Sequence, residues 1–384
     1  MPQSRIVIIG PCYPYRGGIA TFVSHLCNKL ASRFDVRLIN YSLLYPSFLF
    51  PGKTQYDESE NLIFSFPNER LVNSINPLSW YKTAQHIKKL NPDLVIIDWW
   101  NPFFSFAVKG ITAFLGSSFR KRIFIIAENV VSHEGRKIDA ALTRTALSTA
   151  HAYLALSDKV AAELIPYSDH KKIFKSNLPI YSDFDTGNDI DNSAAKAELG
   201  YGADDFVLLF FGYIRKYKGL DIALQAFPEI KRSISKAKLL IVGESYDDIA
   251  EYTALIDAAG IGSDVQLINE YVPNEAVSRY FDASDCVLLP YRTATQSGIL
   301  NIAYGFNKPV VATNVGGFSE FIKNGETGIL VDGIEASAFA KGVIQWHGIC
   351  KDIDYQKAIS AIVAGNSFDS IADIISEAVD HSKS

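Results

Sequence analysis

The sequence predicts an α/β protein of two domains, each a doubly wound parallel sheet with helices on both faces. Its 384 residues exceed one ordinary core, because a domain holds about 150 residues. Short apolar runs typical of buried strands alternate with stretches of helical period along most of the chain. Between Ser176 and Ser193 this alternation gives way to a stretch rich in Asp, Asn and Gly. We therefore expect a first domain over residues 1–180, a second over residues 181–366, and a terminal helix within residues 367–384.

Composition excludes several functional classes. Hydrophobic residues make up 48% of the chain and charged residues 21%, as in soluble proteins with large cores. The net charge of -5 offers no general attraction to nucleic acid, which binds basic surfaces. Four scattered cysteines lack metal or redox spacing, which favours reduced thiols and a cytoplasmic location. The chain shows neither a signal peptide nor a run of about 18 uncharged apolar residues, so we expect no membrane-spanning helix.

The first domain opens with a buried strand, Ile6–Ile9, and a glycine-rich turn that leads into a helix near Ile19. A turn at the carboxyl end of a first parallel strand is a common ligand loop. Its glycines do not follow the G-x-G-x-x-G spacing, which argues against a dinucleotide-binding dehydrogenase. The other predicted elements are the strands Val36–Ile39, Leu94–Ile97, Ile123–Ile126 and Ala152–Leu156, and the helices Tyr81–Lys89, Asp139–Thr149 and Asp158–Ile165.

Two aromatic stretches of the first domain do not resemble ordinary amphipathic elements. The stretch Tyr41–Lys53 is apolar but interrupted by Pro46 and Pro51, which argues against a buried helix. It is either core or an exposed loop that contacts lipid or an amphipathic substrate, because large exposed apolar patches tend to be binding sites. For the stretch Asn101–Gly116 we favour packing in the interior.

The second domain repeats the same architecture. Its predicted strands are Phe206–Phe211, Lys238–Val242, Val265–Ile268, Val287–Leu289 and Pro309–Thr313. Its predicted helices are Leu220–Ile234, Ile249–Ala259, Asn274–Ala283 and Ile299–Phe306. Near the end of the chain, Phe368–Val379 has the apolar period of a helix that docks on a neighbouring surface.

Two loops of the second domain could hold a phosphate group. Thr295–Gly298 opens into a helix whose first amides point outward at the positive end of the helix dipole. Arg215, Lys216 and Lys218 place three cations within four positions after the first strand. Each feature alone is explained by a helix cap or a solvated basic turn. Together, at the same edge of a parallel sheet, they favour a diphosphate site.

Carboxylates follow other strands. Glu128 and His133 lie after the strand Ile123–Ile126, where they form either a catalytic group or a surface pair. Glu244 follows a strand of the second domain and is a candidate for a ribose contact. Val272 lies in the loop after the next strand, which either lines a nucleotide or caps a helix.

A series of short motifs runs along nearly the whole chain: GGI from Gly17, GYIRKYKGLD from Gly212, LLIVGE from Leu239, YVPNE from Tyr271, ASDCVLLPY from Ala283, KPVVATNVGGFSE from Lys308 and NGETGILV from Asn324. In these motifs the chain resembles the retaining enzymes of glycosyltransferase family 4. This resemblance implies the GT-B fold, with two Rossmann-like domains facing across a cleft and a last helix, here within residues 367–384, that returns to the first domain. It also implies a reaction that needs no metal and no cofactor, with the donor on the second domain and the acceptor mainly on the first.

The resemblance also assigns roles to single residues. Lys218 matches the family lysine that neutralises the departing diphosphate, while Tyr213 occupies the position of the family arginine, so Arg215 is the substitute. The family's first-domain histidine falls at or near Glu128, and His133 matches a second histidine, so both are assigned to the acceptor side. The remaining predicted phosphate ligands are Gly17, Gly18, Gln296, Ser297, Gly298 and Ile299.

The sequence departs from the family in the loop before Pro309. Family members carry two glutamates there, and the corresponding positions hold Ala294 and Ile302, whose side chains form no hydrogen bonds. The sequence ATQSG stands in place of the acidic loop. Gln296 and Asn301 are the possible replacements for the contacts that the family glutamates make with the donor sugar.

The predicted function is transfer of a sugar from a nucleotide-diphosphate donor to a saccharide or lipid-linked saccharide, with possible contact to the inner face of a membrane. The missing glutamates leave open an inactive or weak homologue that binds nucleotide sugar and partners another transferase. A nucleotide-sugar epimerase of the same fold is a further alternative.

Overall fold

The structure is a computed structural model that describes residues 3–50, 52–60, 65–130, 138–180 and 191–383. The chain divides into two compact units. Unit 1 comprises residues 1–57, 64–178 and 367–384, and unit 2 comprises residues 58–63 and 179–366. Each unit contains one parallel sheet, as the sequence predicts for a Rossmann-like domain.

Unit 1 is built on a seven-stranded sheet with helices between its strands. The strands are β1 (Arg5–Ile9), β2 (Asp35–Leu43), β3 (Asn68–Asn73), β4 (Leu94–Trp99), β5 (Ile123–Ala127), β6 (Ala152–Ala155) and β7 (Lys172–Lys175). The helices are α1 (Gly18–Ala31), α2 (Pro77–Leu90), α3 (Ser105–Leu115), α4 (Asp139–Leu147) and α5 (Asp158–Ser168). The spatial order is β3-β2-β1-β4-β5-β6-β7.

Unit 2 is built on a six-stranded sheet of order β10-β9-β8-β11-β12-β13. Its strands are β8 (Phe206–Phe211), β9 (Ala237–Val242), β10 (Val265–Ile268), β11 (Cys286–Leu289), β12 (Val310–Thr313) and β13 (Gly328–Val331). Its helices are α6 (Asn192–Glu198), α7 (Leu220–Ser233), α8 (Ile249–Ala259), α9 (Val277–Asp282), α10 (Gly298–Gly305), α11 (Phe318–Phe321), α12 (Ala336–Ile349) and α13 (Tyr355–Gly365).

Burial explains why the inner strands were predictable and some edge strands were not. The inner strands β5, β8 and β11 are continuous apolar runs, and β4 is interrupted only by Asp98, because helices cover both faces of a parallel sheet. The edge strands β3 and β7 are partly exposed and carry charged residues, so their sequences resemble loops. The sequence analysis predicted neither of them.

The last helix, α14 (Phe368–Lys383), belongs to unit 1. It buries one apolar face, which includes Ile371, Ile375 and Val379. Lys29 on α1 pairs with Asp369 at 2.6 Å, and Arg33, just after α1, pairs with Asp373 at 2.5 Å. The amphipathic period of this stretch therefore predicted both the helix and its docking.

One segment of the described residues, Tyr355–Ser382, is long and apolar enough by length and composition to cross a membrane. In the structure it consists of two helices, α13 and α14, separated at Asn366 and Ser367. The second of these buries its apolar face in unit 1. The segment contains several aspartates and is not the uncharged run that the sequence analysis sought.

Each sheet has a topological switch point, where the chain moves from one side of its first strand to the other. In unit 1 this point lies between β1 and β4, and in unit 2 between β8 and β11. Open α/β sheets bind ligands at the carboxyl ends of these strands. The two switch points are therefore the places to look for a site.

Candidate functional site

The switch point of unit 2 is shaped by two glycines that allow no side chain. Gly212 ends β8 with a φ of 95°, and a Cβ there would lie 2.9 Å from Cδ1 of Ile299. Gly219 precedes α7 with a φ of 70°, and a Cβ there would lie 2.0 Å from the carbonyl oxygen of Pro290. The segment between these glycines is thereby held against the end of β11.

Lys218 is the buried cation of this segment. Its residue is 7% exposed, and its Nζ lies 3.1 Å from the position that a Cβ of Gly212 would take. The ring of Tyr291 is 5.8 Å from Nζ, and no carboxylate of the described residues pairs with it. Burial, together with a smaller effect of the Arg215 charge, lowers the pKa of Lys218 to about 8. An anion beside Nζ would stabilise its charged form.

The other two cations of the basic cluster have different environments. The guanidinium of Arg215 lies 5.7 Å from the ring of Tyr217 and 5.8 Å from that of Tyr246. The side chain of Lys216 is 72% exposed, and its Nζ lies 3.6 Å from Glu251. The sequence predicts one basic cluster, and the structure separates it into a buried lysine, a stacked arginine and a solvated lysine.

The amino end of α10 lies close to Lys218, because Ile299 near the start of α10 and Nζ of Lys218 both lie beside Gly212. Ser297 caps this helix by accepting a hydrogen bond from the Leu300 amide to its Oγ at 3.3 Å. The first amides of the helix, at Gly298 and Ile299, have no carbonyl partner within the helix, as at any helix start. Because Ile299 contacts the space above Gly212, these amides and the lysine lie in one region. The predicted phosphate ligands of unit 2 therefore converge.

Gln296 and a glycine turn complete this region. The Nε2 atom of Gln296 is buried and lacks a hydrogen-bond partner among the described residues. A Cβ at Gly316 would lie 1.9 Å from the carbonyl oxygen of Ala294, so the turn after β12 packs directly on the loop before α10. Ala294 is 1% exposed, whereas Ile302 is half-buried. The two positions that lack the family glutamates thus differ in environment.

The weaker predicted contacts occupy three different places. Glu244 is buried beside the Gly212 turn, and its carbonyl accepts a hydrogen bond from the amide of Ile214 at 2.9 Å. Val272 is half-exposed in the loop after β10. Asn301 is 2% exposed, and its Nδ2 donates to the carbonyl of Pro179 at 2.9 Å, which gives this amide a structural role.

In unit 1, the glycine turn that the sequence identified precedes α1. Gly17 has a φ of 104°, which favours glycine, and a Cβ at Gly18 would meet no atom of the described residues within 4 Å. The turn therefore leaves open space beside the first amides of α1.

A pair of buried carboxyl groups lies at the switch point of unit 1. Asp98 is near the end of β4, and Glu128 follows β5, with its amide donating to the carbonyl of Trp99 at 2.9 Å. Their exposed fractions are 3% and 8%, and the two carboxyl groups lie within hydrogen-bonding reach of each other. Among the described residues, no N–H group donates to the oxygens of Asp98 or to Oε1 of Glu128.

Burial raises the pKa of both carboxyl groups. The pKa of Asp98 rises because the group is desolvated and lies next to the charge of Glu128. Desolvation raises the pKa of Glu128 to about 8, although the hydrogen bond from Asp98 opposes this shift. The pair therefore holds at least one proton at neutral pH.

Sequence reasoning identified Glu128 but missed Asp98. The stretch LVIIDWW resembles a buried strand, and its single carboxylate was the available signal. His133, the other predicted acceptor-side residue, lies outside the described residues. Within those residues, no group of three His, Cys, Asp or Glu side chains could hold a metal ion.

The two aromatic stretches divide between core and surface. In Tyr41–Lys53, Tyr41 is buried, whereas Phe48 is 83% exposed and Leu49 is 49% exposed. In Asn101–Gly116, Phe104 is buried and Phe106 is 61% exposed. Both stretches therefore contribute to the core and to the surface.

Comparison with known proteins identifies the domain in unit 2. Residues 205–347 match the family described as "Glycosyl transferases group 1". A D-inositol 3-phosphate glycosyltransferase of Rhodococcus jostii is 36% identical over 149 residues, which are 37% of this chain and 33% of that protein. A protein of the same name from Catenulispora acidiphila is 31% identical over 159 residues, 39% of this chain and 38% of that protein. The match thus spans about a third of the length of these curated relatives.

Solved structures resemble the whole chain. Anabaena Alr3699/HepE in complex with UDP and glucose has a TM-score of 0.75 at 16% identity, covering 98% of this chain and 99% of that one. The sucrose-phosphate synthase of Thermosynechococcus elongatus has a TM-score of 0.74 at 16% identity, covering 97% and 98%. The fold of this chain is therefore that of the GT-B glycosyltransferases, and residues 205–347 match the glycosyl transferases group 1 family.

Proposed function

We propose that this protein is a retaining glycosyltransferase of family 4 that uses a nucleotide-diphosphate sugar. The observation that carries the proposal is the buried Lys218 beside the amino end of α10. The match of residues 205–347 supports this assignment, as do relatives that are named glycosyltransferases. UDP and UDP-glucose are bound in Alr3699/HepE, which has the same fold, and this favours a uridine donor as the first probe.

In this proposal, unit 2 holds the diphosphate of the donor. Lys218 supplies a positive charge, and the amides of Gly298 and Ile299 supply hydrogen-bond donors at the positive end of the helix dipole. Gln296 adds a side-chain donor from the same loop. Arg215, held over two tyrosine rings, adds a second charge close enough to influence Lys218. A doubly charged leaving group fits this set.

The chemical step breaks the bond between the anomeric carbon and the diphosphate oxygen, which keeps the electron pair. Negative charge grows on that oxygen, and a fixed cation with fixed amides stabilises it without reorganisation. The acceptor hydroxyl forms the new bond on the same face of the sugar. Its proton passes to the departing phosphate oxygen, so the reaction balances without a metal ion.

Unit 1 binds the acceptor, which we propose to be a saccharide or lipid-linked saccharide in the synthesis of cell-surface polysaccharide or glycolipid. Glu128 and Asp98 together carry at least one proton and can both donate and accept hydrogen bonds to sugar hydroxyls. The open turn at Gly17 and Gly18 gives a phosphate or sugar group access to backbone amides. His133 is assigned to the same side on sequence resemblance.

A second candidate function is donor binding without turnover. Ala294 and Ile302 stand where family members carry glutamates, and neither can hydrogen-bond a sugar hydroxyl. A protein that binds nucleotide sugar and partners an active transferase would keep Lys218 and lose those carboxylates. Binding and turnover therefore have to be measured separately.

The deciding experiment compares two lysines of the same segment. We measure UDP affinity by calorimetry, and UDP release from UDP-glucose with candidate acceptors, for the parent protein, Lys218→Ala and Lys216→Ala. Loss of a charge-assisted contact costs about 1.5–3 kcal/mol, so Lys218→Ala should weaken UDP binding about 10- to 150-fold. Lys216→Ala removes the same charge from a solvated position and should change affinity less than about twofold.

The outcomes separate the candidates. Turnover that falls with Lys218→Ala supports the transferase, and UDP binding without turnover for any acceptor supports the binding homologue. Equal effects of the two lysine changes would reject the diphosphate site. If UDP does not bind, a thermal-shift panel tests other nucleoside diphosphates. If none of them stabilises the protein, both candidate functions are rejected.

We also propose that the protein works in the cytoplasm and contacts the inner face of a membrane through the exposed part of Tyr41–Lys53. Phe48 and Leu49 present apolar side chains to solvent, as interfacial segments do. Phe48→Ser/Leu49→Ser should reduce co-sedimentation with lipid vesicles. Unchanged co-sedimentation would remove the membrane contact from the proposal.

A further inference from the structure

A second charged region lies at the opposite edge of the unit 1 sheet, where the strands begin. Basic residues directly precede two neighbouring strands, His151 before β6 and Lys171 before β7, and Lys121 lies two residues before β5. The register pairs Ala152 with both Phe124 and Lys172, so His151 lies between its neighbours on the two adjacent strands. Parallel strands about 4.8 Å apart begin at the same edge, which brings these basic side chains together.

These side chains line a cavity of about 160 Å³. The carboxyl-terminal part of α14 closes one side of it and adds His381. The lining includes three lysines and two histidines but no carboxylate, in a chain whose net charge is -5. An adjoining cavity of about 460 Å³ shares His151 and Lys171 and adds Lys109 and Arg120. Most of the surface inside the smaller cavity is apolar, so the positive charge of the region is concentrated at its edge, next to the larger cavity.

Nearby anions compensate only part of this charge. Lys172 pairs with Glu377 at 2.5 Å, and Lys171 donates from Nζ to the carbonyl of Ser148 at 2.9 Å. No carboxylate of the described residues pairs with Lys121. The ring centroids of His151 and His381 are 5.4 Å apart, which is close enough for repulsion when both are protonated.

The electrostatics of His151 reflect this surplus. Its pKa is lowered by desolvation first, and then by the charges of His381, Lys121 and Lys171. Desolvation likewise lowers the pKa of Lys171, although Asp169 opposes that shift. Cations that depress one another's protonation would gain charge when an anion binds among them.

We propose that this cavity at the amino-terminal edge of the unit 1 sheet binds a phosphate-type dianion. The ligand accepts hydrogen bonds from His151, His381 and Lys121, and its charge offsets theirs. A phosphate group suits these ligands because it carries up to two charges and three acceptor oxygens. The group comes either from a soluble phosphate compound or from a phospholipid headgroup. This site is independent of the proposed transferase activity, because it uses none of the residues assigned to donor or acceptor.

The test follows His151 by NMR, through the Hε1 signal of its ring in the full-length protein. We titrate inorganic phosphate, pyrophosphate and, in a separate arm, vesicles of phosphatidylcholine with or without phosphatidic acid. A bound dianion should shift the His151 signal and raise the pH at which it titrates. Response to soluble phosphates assigns a soluble ligand, and response to phosphatidic acid vesicles alone assigns a lipid headgroup; either result supports the site.

Variants connect the response to the cavity. Lys121→Glu changes an exposed side chain and should weaken phosphate binding at His151 about tenfold or more. Lys341→Glu makes the same charge reversal on the exposed surface of α12 in unit 2 and should leave it within about twofold. Lys218→Ala should also leave it unchanged, because that lysine serves the donor site.

Three results would overturn the proposal. The first is a His151 signal that none of the three phosphate probes moves. The second is equal binding by Lys121→Glu and the parent protein. The third is loss of the response in Lys218→Ala, which would mean that the phosphate had bound in unit 2.

Discussion

Each unit places a buried ionisable group beside the glycine at its switch point, a carboxyl group in unit 1 and an ammonium group in unit 2. In both, a glycine follows the central strand at the switch point, Gly10 after β1 and Gly212 after β8. A Cβ at Gly10 would lie 3.2 Å from the Cβ of Asp98, and one at Gly212 would lie 3.1 Å from Nζ of Lys218. The shared topology thus determines the position beside each glycine at which a buried ionisable group lies. Whether that group is a carboxyl or an ammonium determines which ligands the position could bind.

Burial acts on both charges by the same physical rule with opposite results. Desolvation disfavours the charged form of any group, so it lowers the pKa of Lys218 and raises those of Asp98 and Glu128. Both switch points consequently hold groups whose charge changes near pH 8. We expect unit 2 to lose its cation and unit 1 to gain negative charge as the pH rises through that region.

The largest expected effect is on folding stability in unit 1. Below about pH 8 the native Glu128 keeps a proton that the unfolded chain releases above about pH 4.3. The folded state therefore binds more protons between these values, and the free energy of unfolding falls by up to about 1.4 kcal/mol per pH unit as the pH rises. The stability is full below the unfolded pKa and is lost as the pH rises towards the folded pKa. Glu128→Gln should reduce this slope without removing it, because Asp98 stays buried and its pKa is raised as well. Urea unfolding from pH 5 to 8.5 measures the change.

A matched control for this change is Glu326→Gln, which alters an exposed glutamate of unit 2. Its unfolding midpoint should follow that of the parent protein at every pH. The same slope in the parent protein and in Glu128→Gln would mean that Glu128 does not hold the proton in the folded state.

The second effect compares the two glycines. Gly212→Ala places a Cβ at a φ of 95° and 2.9 Å from Ile299, so we expect a loss of about 2 kcal/mol in the free energy of unfolding. Gly10→Ala meets Val23 at 3.0 Å without a positive φ, so we expect a smaller loss, about 1 kcal/mol. Urea unfolding measures both changes, with Gly348→Ala in an open helical position as the control. A larger loss of unfolding free energy in Gly10→Ala than in Gly212→Ala would contradict this prediction.

The difference between the units also explains what the sequence could predict. The predicted phosphate loops of unit 2 are each continuous in sequence: three cations lie within four residues, and a serine directly precedes an apolar helix. The acid pair of unit 1 joins residues that follow or lie on two different strands. Asp98 could therefore be recognised as part of a pair only once the structure placed β4 beside β5.

Other features needed the folded chain for a similar reason. Gly219 has to be glycine because of Pro290, which is distant in sequence. Asn301 was predicted as a possible replacement for a sugar contact, and only the folded chain shows that its amide donates to the carbonyl of Pro179. The inner strands were predictable from composition, whereas the polar edge strands β3 and β7 were not.

The smallest expected effect concerns the pH dependence of donor binding in unit 2. Lys218 is charged below its pKa of about 8, so UDP affinity in the parent protein should fall above that pH, by at most about tenfold per unit. Bound UDP favours the charged lysine and moves the fall to higher pH in the complex. An arginine stays protonated throughout this range, so Lys218→Arg should bind UDP with little change between pH 7 and 9.5. Calorimetry at each pH measures this, with Lys216→Arg as the control that should keep the parent profile. A profile that falls equally in Lys218→Arg would assign the titration to another group and would remove Lys218 as the counterpart of the acid pair in unit 1.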